Sequence, residues 1–351
     1  MRKIYLLTLL ICLCALCGCN RPNMISGQVL ELHVTDSSTN LVLTTSQDAR
    51  IGLIIDNNTI LMSDFEDIDA DGLKAGDFKD VIITAKPGKK ETPFSTADGR
   101  TLKASVAEHI LITGILTDAT YSLSDGTQLE IWRYSDSILY QFPNGDCLLQ
   151  VKNPTGPANS YAGNLESFDD LGETAKQTVL SYYESRGEYY NIEEELEHAY
   201  KEYQTTQDKN TFQSHLLEQS ISPASSNDKM ICFLTSVTLP LSGNTVHEVR
   251  IGTVFDKETG VHIDNLDLFS CSEAELIKTI LDISGVTEHT LRSEMETAFQ
   301  PEYILLLPQC MEVTFPAGTL PSHESTYILA LDYEGDLLSI LHDWVVPDDA
   351  E

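Results

Sequence analysis

The 351-residue chain carries 54 Asp and Glu against 22 Lys and Arg, a formal net charge of −32. So large an anionic excess argues against nucleic acid and against direct adsorption to anionic lipid; it favours cationic partners such as metal ions, basic peptides or basic proteins, or serves solubility alone. The length suggests about two or three domains, and a hydrophobic fraction of 42% is enough to build packed cores.

Arg2 and Lys3 make a short basic start, and residues 4–16 are almost wholly apolar. That run has the length of a signal-peptide core and falls short of the roughly 20 residues that span a bilayer. It ends in Leu16-Cys17-Gly18-Cys19, which resembles the lipobox of bacterial lipoproteins. The resemblance implies cleavage after Gly18 and a diacylglyceryl group on Cys19, and two acyl chains give stable anchoring. An ordinary secretory signal with incidental cysteines is the alternative. Residues 1–18 are therefore expected to be a signal peptide and 19–24 a tether. No later segment reaches transmembrane length, so the mature chain is expected on the extracytoplasmic face of the cell membrane.

Residues 25–118 alternate apolar and polar in short runs separated by turn residues, which predicts strands. Gly27 to Leu32, Leu41 to Leu43, residues 51–55, 60–62 and 81–84, and finally 109–113, suggest a small OB-like β-barrel, with Leu73-Lys74-Ala75-Gly76-Asp77 as a turn. The basic groove and aromatic platform of a nucleic-acid-binding barrel are missing. Residues 119–157 read as a β-meander and linker, with Pro143-Asn144-Gly145 turning one pair of strands and Asn153-Pro154-Thr155-Gly156-Pro157 closing the unit. Residues 158–220 read as helical. Ser167 and Asp170 suggest a variant capping box, Gly187 a stop and Asn191 a second N-cap, giving two helices paired as an antiparallel hairpin. Six tyrosines, 182, 183, 189, 190, 200 and 203, fit either core and boundary packing or an exposed aromatic patch.

From about residue 229 the pattern is strand, strand, helix, helix, strand, strand, with Asp256 to Gly260 as a turn and Ser272-Glu273-Ala274-Glu275 as a capping box. The run Gly252 to Gly260, then Leu266-Asp267-Leu268-Phe269, then the segments 303–308 and 313–316, resembles the extracellular domain of RsiV-type anti-sigma factors, also found in some peptidoglycan deacetylases. The stretch Pro316-Ala317-Gly318-Thr319-Leu320 departs from the Pro-Tyr-Glu that usually follows the strand motif there. The resemblance implies an α+β domain over residues 221–351 with an antiparallel sheet, and a ligand such as lysozyme, a strongly basic protein. The whole is then an α+β, multidomain chain. Neither a transmembrane helix nor a deacetylase domain accompanies the domain, so a lipid-tethered receptor, decoy or accessory module is expected.

Asp67-Ile68-Asp69-Ala70-Asp71-Gly72 has the spacing at which three carboxylates converge on calcium, although Phe78 stands where a bidentate Glu belongs. Asp67, Asp69 and Asp71 are thus candidate ligands of a weak calcium site, with an acidic surface turn as the alternative. Four cysteines remain beyond the signal, namely Cys147, Cys232, Cys271 and Cys310. A disulfide among Cys232, Cys271 and Cys310 and buried free thiols are both open. The nine histidines form no zinc-binding spacing, and His109 and His247 read as structural. Nucleophile elbows and phosphate-binding loops are absent. The sequence therefore predicts no enzyme and no cofactor apart from calcium. It predicts an exported, lipid-anchored binding protein of the cell envelope for a basic ligand, or else a structural or accessory envelope lipoprotein.

Overall fold

The computed structural model describes residues 24–35, 38–45, 49–65, 68, 78, 80–152, 171–241 and 246–348. The signal segment, Cys19, the tether, Asp67, Asp69 and Asp71, the Gly-Pro linker and the Ser167–Asp170 cap lie outside the described residues. Contacts divide the chain into two compact units, residues 1–119 with 131–135, and residues 120–130 with 136–351.

In the first unit the strands are Ile25–Val34 (β1), Thr39–Thr44 (β2), Arg50–Ile55 (β3), Ile60–Ser63 (β4), Val81–Ser95 (β5) and most of Thr101–Ser122 (β6). Alternation turns Val81, Ile83 and Ala85 inward, against Leu41, Leu43, Leu53, Ile110 and Ile112. β1 pairs antiparallel with β2 and with β5, while β3 and β4 both run parallel to β6. β5 also pairs with β6, so the pairing returns on itself.

The second unit holds the strands Ser137–Gln141 (β8) and Cys147–Lys152 (β9), with Gln128–Tyr134 (β7) divided between the units. Two helices follow, Glu173–Arg186 (α1) and Ile192–Thr205 (α2). Next come His215–Ser226 (β10), Met230–Pro240 (β11), Val246–Asp256 (β12) and the short His262–Ile263 (β13). The chain continues through Glu273–Ile283 (α3) and His289–Ala298 (α4) to Ile304–Leu306 (β14), Cys310–Phe315 (β15), Tyr327–Asp332 (β16) and Gly335–Ile340 (α5).

These elements correct the expected fold class. Among the described residues thirteen strands belong to one mixed sheet, and β14, β15 and β16 form a second. A discrete OB-like barrel followed by a separate α+β domain with its own antiparallel sheet is not what forms. Part of the reason is visible within the second unit at β9 and β10, which pair in parallel with His215 opposite Leu149. Parallel neighbours need a long crossover, and the segment carrying α1 and α2 is that crossover. Residues 215–220, expected to be helical, are therefore strand.

The two helices also do not pair as a hairpin. α1 places Ala175, Val179 and Tyr183 on Ile221, Ile231, Phe233 and Phe255. α2 places Leu196 and Ala199 on Leu129, Leu148, Leu149 and Leu217. β11 explains how both faces fill. Ile231 and Phe233 meet α1, while the intervening Met230 and Cys232 join Leu276, Ile280, Met295 and Phe315 in a core on the other side. A strand buried on both faces reads as an unbroken apolar run, which is how residues 230–234 appear.

Local capping matches the sequence reading at α2 and α3, while α1 starts after Gly172, which supplies no side-chain cap. Asn191 accepts from the backbone N–H of Glu193 at 3.0 Å and of Glu194 at 3.3 Å. Ser272 and Glu275 complete a capping box on α3. Asn191→Ala removes one such bond set from a helix whose first turn is acidic, and the expected loss is about 1 kcal/mol, read as a lowered urea midpoint with unchanged slope.

Candidate functional site

The second unit contains a cleft of about 320 Å³ assembled from three separated segments. The C-terminal end of α1 and the turn after it bring Tyr182 and Tyr189; β12 brings Gly252, β13 brings His262 and the turn that follows it brings Asp264 and Asn265; a 3₁₀ turn at Pro301–Tyr303 brings Gln300 and Glu302.

Asn265 ties the segments together. Its Nδ2 donates to the carbonyls of Gly252 at 3.0 Å, Pro301 at 2.9 Å and Ile304 at 3.4 Å. Asn265 is 6% exposed, and its Oδ1 is buried without a partner among the described residues. A buried acceptor left unpaired costs about 1–3 kcal/mol, which the three bonds made by Nδ2 offset. Asp264 caps the 3₁₀ turn that starts at Asn265, accepting from Leu266 N–H at 2.9 Å.

The walls are aromatic. His262 stacks on Tyr182 with ring centroids 4.7 Å apart and planes 23° from parallel. Burial pushes the His262 pKa down, with Asp264 pulling the other way, so the imidazole is neutral at pH 7. Burial also raises the Tyr182 and Tyr189 phenols. The Arg186 guanidinium lies 4.1 Å over the Tyr189 ring and 3.8 Å from the Glu302 carboxylate. The seat where a cation would lie over this aromatic wall is filled by the protein's own arginine.

A second feature is the outer face of α2. Glu193, Glu194 and Glu197 surround a shallow depression of about 490 Å³ with His198 and Lys201. Glu197 is engaged by Ser124, whose N–H and Oγ donate to it at 2.7 and 2.8 Å, while Glu193 and Glu194 are exposed. The α2 tyrosines serve the docking of the helix: Tyr200 donates to Asp125 at 2.9 Å and Tyr203 to Asp146 at 2.6 Å. None of the six tyrosines singled out in the sequence is fully exposed, and Tyr182 and Tyr189 are the two that reach the cleft.

The other sequence candidates are dispersed. Cys147, Cys232, Cys271 and Cys310 are free thiols, and no bridge joins Cys232, Cys271 and Cys310. Cys232 is wholly buried in β11, where desolvation pushes its thiol up to about 12, and burial likewise raises Cys147 to about 11; such thiols are poor nucleophiles. Among the described residues no group of three or more His, Cys, Asp or Glu is arranged to hold a metal, and the candidate calcium ligands lie outside them. Burial lowers the His247 pKa, in keeping with a structural histidine. Sequence reading passed over Asp264, Asn265 and Gln300. The one local signal was the Asp264-Asn265 pair beside an apolar segment, which reads as a turn.

No protein-family model matches the chain, and no curated protein matches it. Among the solved structures similar to it are two DUF3298 proteins. One is a member of the DUF3298 family from Bacteroides fragilis, at 12% identity over 66% of this chain and 92% of that one, with a TM-score of 0.32. The other is a DUF3298 family protein from Pseudomonas aeruginosa, at 12% identity over 57% of this chain and 88% of that one, with a TM-score of 0.30.

Proposed function

We propose that this chain is an exported binding protein, held at the extracytoplasmic face of a membrane by a lipid on Cys19, that engages a basic protein such as lysozyme. The observation that carries the reading is the face of α2, where Glu193 and Glu194 stand exposed beside Glu197 in a chain of net charge −32. A surface of one sign accelerates encounter with a partner of the other and suppresses like-charged competitors. The resemblance of residues 252–269 and 303–316 to RsiV-type extracellular domains points to the same class of ligand.

The test is binding of the full chain to lysozyme at low and at high salt. Affinity is expected to fall steeply with ionic strength, because exposed charges interact within a Debye length of about 10 Å at 0.1 M salt. Replacing Glu193 and Glu194 together by Gln is expected to slow association, with the off-rate changed less. No binding even at low salt would remove this reading and leave a structural or accessory envelope role.

A further inference from the structure

The cleft beside Asn265 is separate from the acidic face of α2, and its chemistry is different. Three properties define its occupant. First, the volume of about 320 Å³ sits at the small end of ligand pockets, which run from roughly 300 to 1,000 Å³; it suits a single ring. Second, the polar groups are mixed. Asn265 Oδ1 is sealed from solvent, so the polar groups open to the cleft are those of Asp264 and Gln300. Asp264 uses Oδ1 on the Leu266 N–H and keeps a second carboxylate oxygen. The amide of exposed Gln300 offers both donor and acceptor. Third, the Tyr182–His262 stack gives a flat wall whose outer member is exposed and, at neutral pH, uncharged.

A cationic occupant is disfavoured, since Arg186 already covers Tyr189 and pairs with Glu302. An anion is disfavoured by Asp264 and Glu302 on the same rim. What remains is a neutral molecule with several hydroxyls and one apolar face. We propose that this cleft binds one pyranose ring of a glycan. The ring's C–H face lies against the His262–Tyr182 wall, where hydrogens carrying slight positive charge meet the electron-rich face of the aromatic system. Its hydroxyls donate to the free Asp264 oxygen and exchange hydrogen bonds with Gln300.

Saturation-transfer NMR tests this on the full chain, kept soluble in a detergent without a sugar headgroup. The probes are the trisaccharide of N-acetylglucosamine, maltotriose and N-acetylarginine methylamide. Transfer to the ring protons of one trisaccharide is expected. Gln300 makes no capping hydrogen bond, so Gln300→Ala keeps the fold; it is expected to weaken that binding about tenfold, which is ~1.4 kcal/mol. Asp264→Asn keeps a residue able to cap and is expected to weaken it less. Unchanged melting temperatures separate a lost contact from a lost fold. Silence from both sugars at millimolar concentration overturns the proposal. Sugar binding untouched by either variant overturns it too, as does transfer to the arginine probe alone.

Discussion

Gly252→Ala is expected to cost the second unit about 3 kcal/mol or more, one of the largest effects of any single methyl group in this protein. A Cβ built at Gly252 overlaps the carbonyl oxygen of Ile304 and comes within 3.0 Å of the Leu305 Cα. The obstacle is backbone, so no side chain can swing away. The same carbonyl belongs to β14, whose Ile304, Leu305 and Leu306 are all buried, and it also accepts from Asn265. Moving it to admit a methyl pulls β14 off β12 and loosens the amide that holds the cleft together. Thermal unfolding of the variant is expected roughly 6–12 °C earlier, taking about 2–4 °C per kcal/mol for a unit of this size. Gly172→Ala is the control. Nothing lies within 4 Å of a Cβ there and its φ of −66° is ordinary for any residue, so the only expected loss is about 1 kcal/mol from Ala being a poorer N-cap of α1 than Gly. Equal melting of the two variants would show that β12 and β14 are not in contact at Gly252.

The features readable in the sequence were those decided within a few residues. Asn191 caps α2 and the Ser272–Glu275 box caps α3, because each bond joins groups two or three positions apart. The turn after β12 is a local matter too: Asp256 accepts from the Thr259 N–H at 2.8 Å, and Gly260 takes a positive φ of 72°. The strands at 230–240 and 246–256 stood out by composition. What escaped was decided by partners far along the chain. Nothing in His215 to Ser220 announces that the segment will lie parallel to β9, some 66 residues earlier at Leu149. The pattern there is half-buried and polar, and follows directly on a helical stretch. The mixed sheet was lost at that point, and the expected hairpin of α1 and α2 with it. The cleft was hidden for the same reason. Its residues come from around positions 182–189, 251–266 and 300–302, and an Asn that bonds three carbonyls from other segments looks like any other Asn in sequence.

The second large effect is expected at His215. It opens β10 at 8% exposure, facing two carboxylates from α2. Nδ1 is hydrogen-bonded to Glu195 Oε1, and Nε2 lies 3.0 Å from Glu202 Oε2. Glu195 and Glu202 are two helical turns apart, so they share a face and meet both edges of one ring. The Phe212 ring also stacks on it, at 6.2 Å and 21°. Burial opposes the charge on His215, but the hydrogen bonds and attraction of the two glutamates outweigh it and raise its pKa above the ordinary value. The imidazolium therefore clamps α2 to the start of β10. The raised folded value fixes the sign: this stability is fully present below the unfolded pKa of about 6.5, and it disappears as pH rises through the folded value. His215→Gln leaves the two carboxylates facing each other with no cation between them. The expected cost is about 3 kcal/mol in urea melts near pH 5.5. Repeating the melts near pH 9 is expected to narrow the gap between wild type and variant, because the wild-type ring is then neutral as well. A gap that stays constant or widens with pH would show that His215 is held uncharged, and that packing against Phe212 rather than the ion pair fixes the helix.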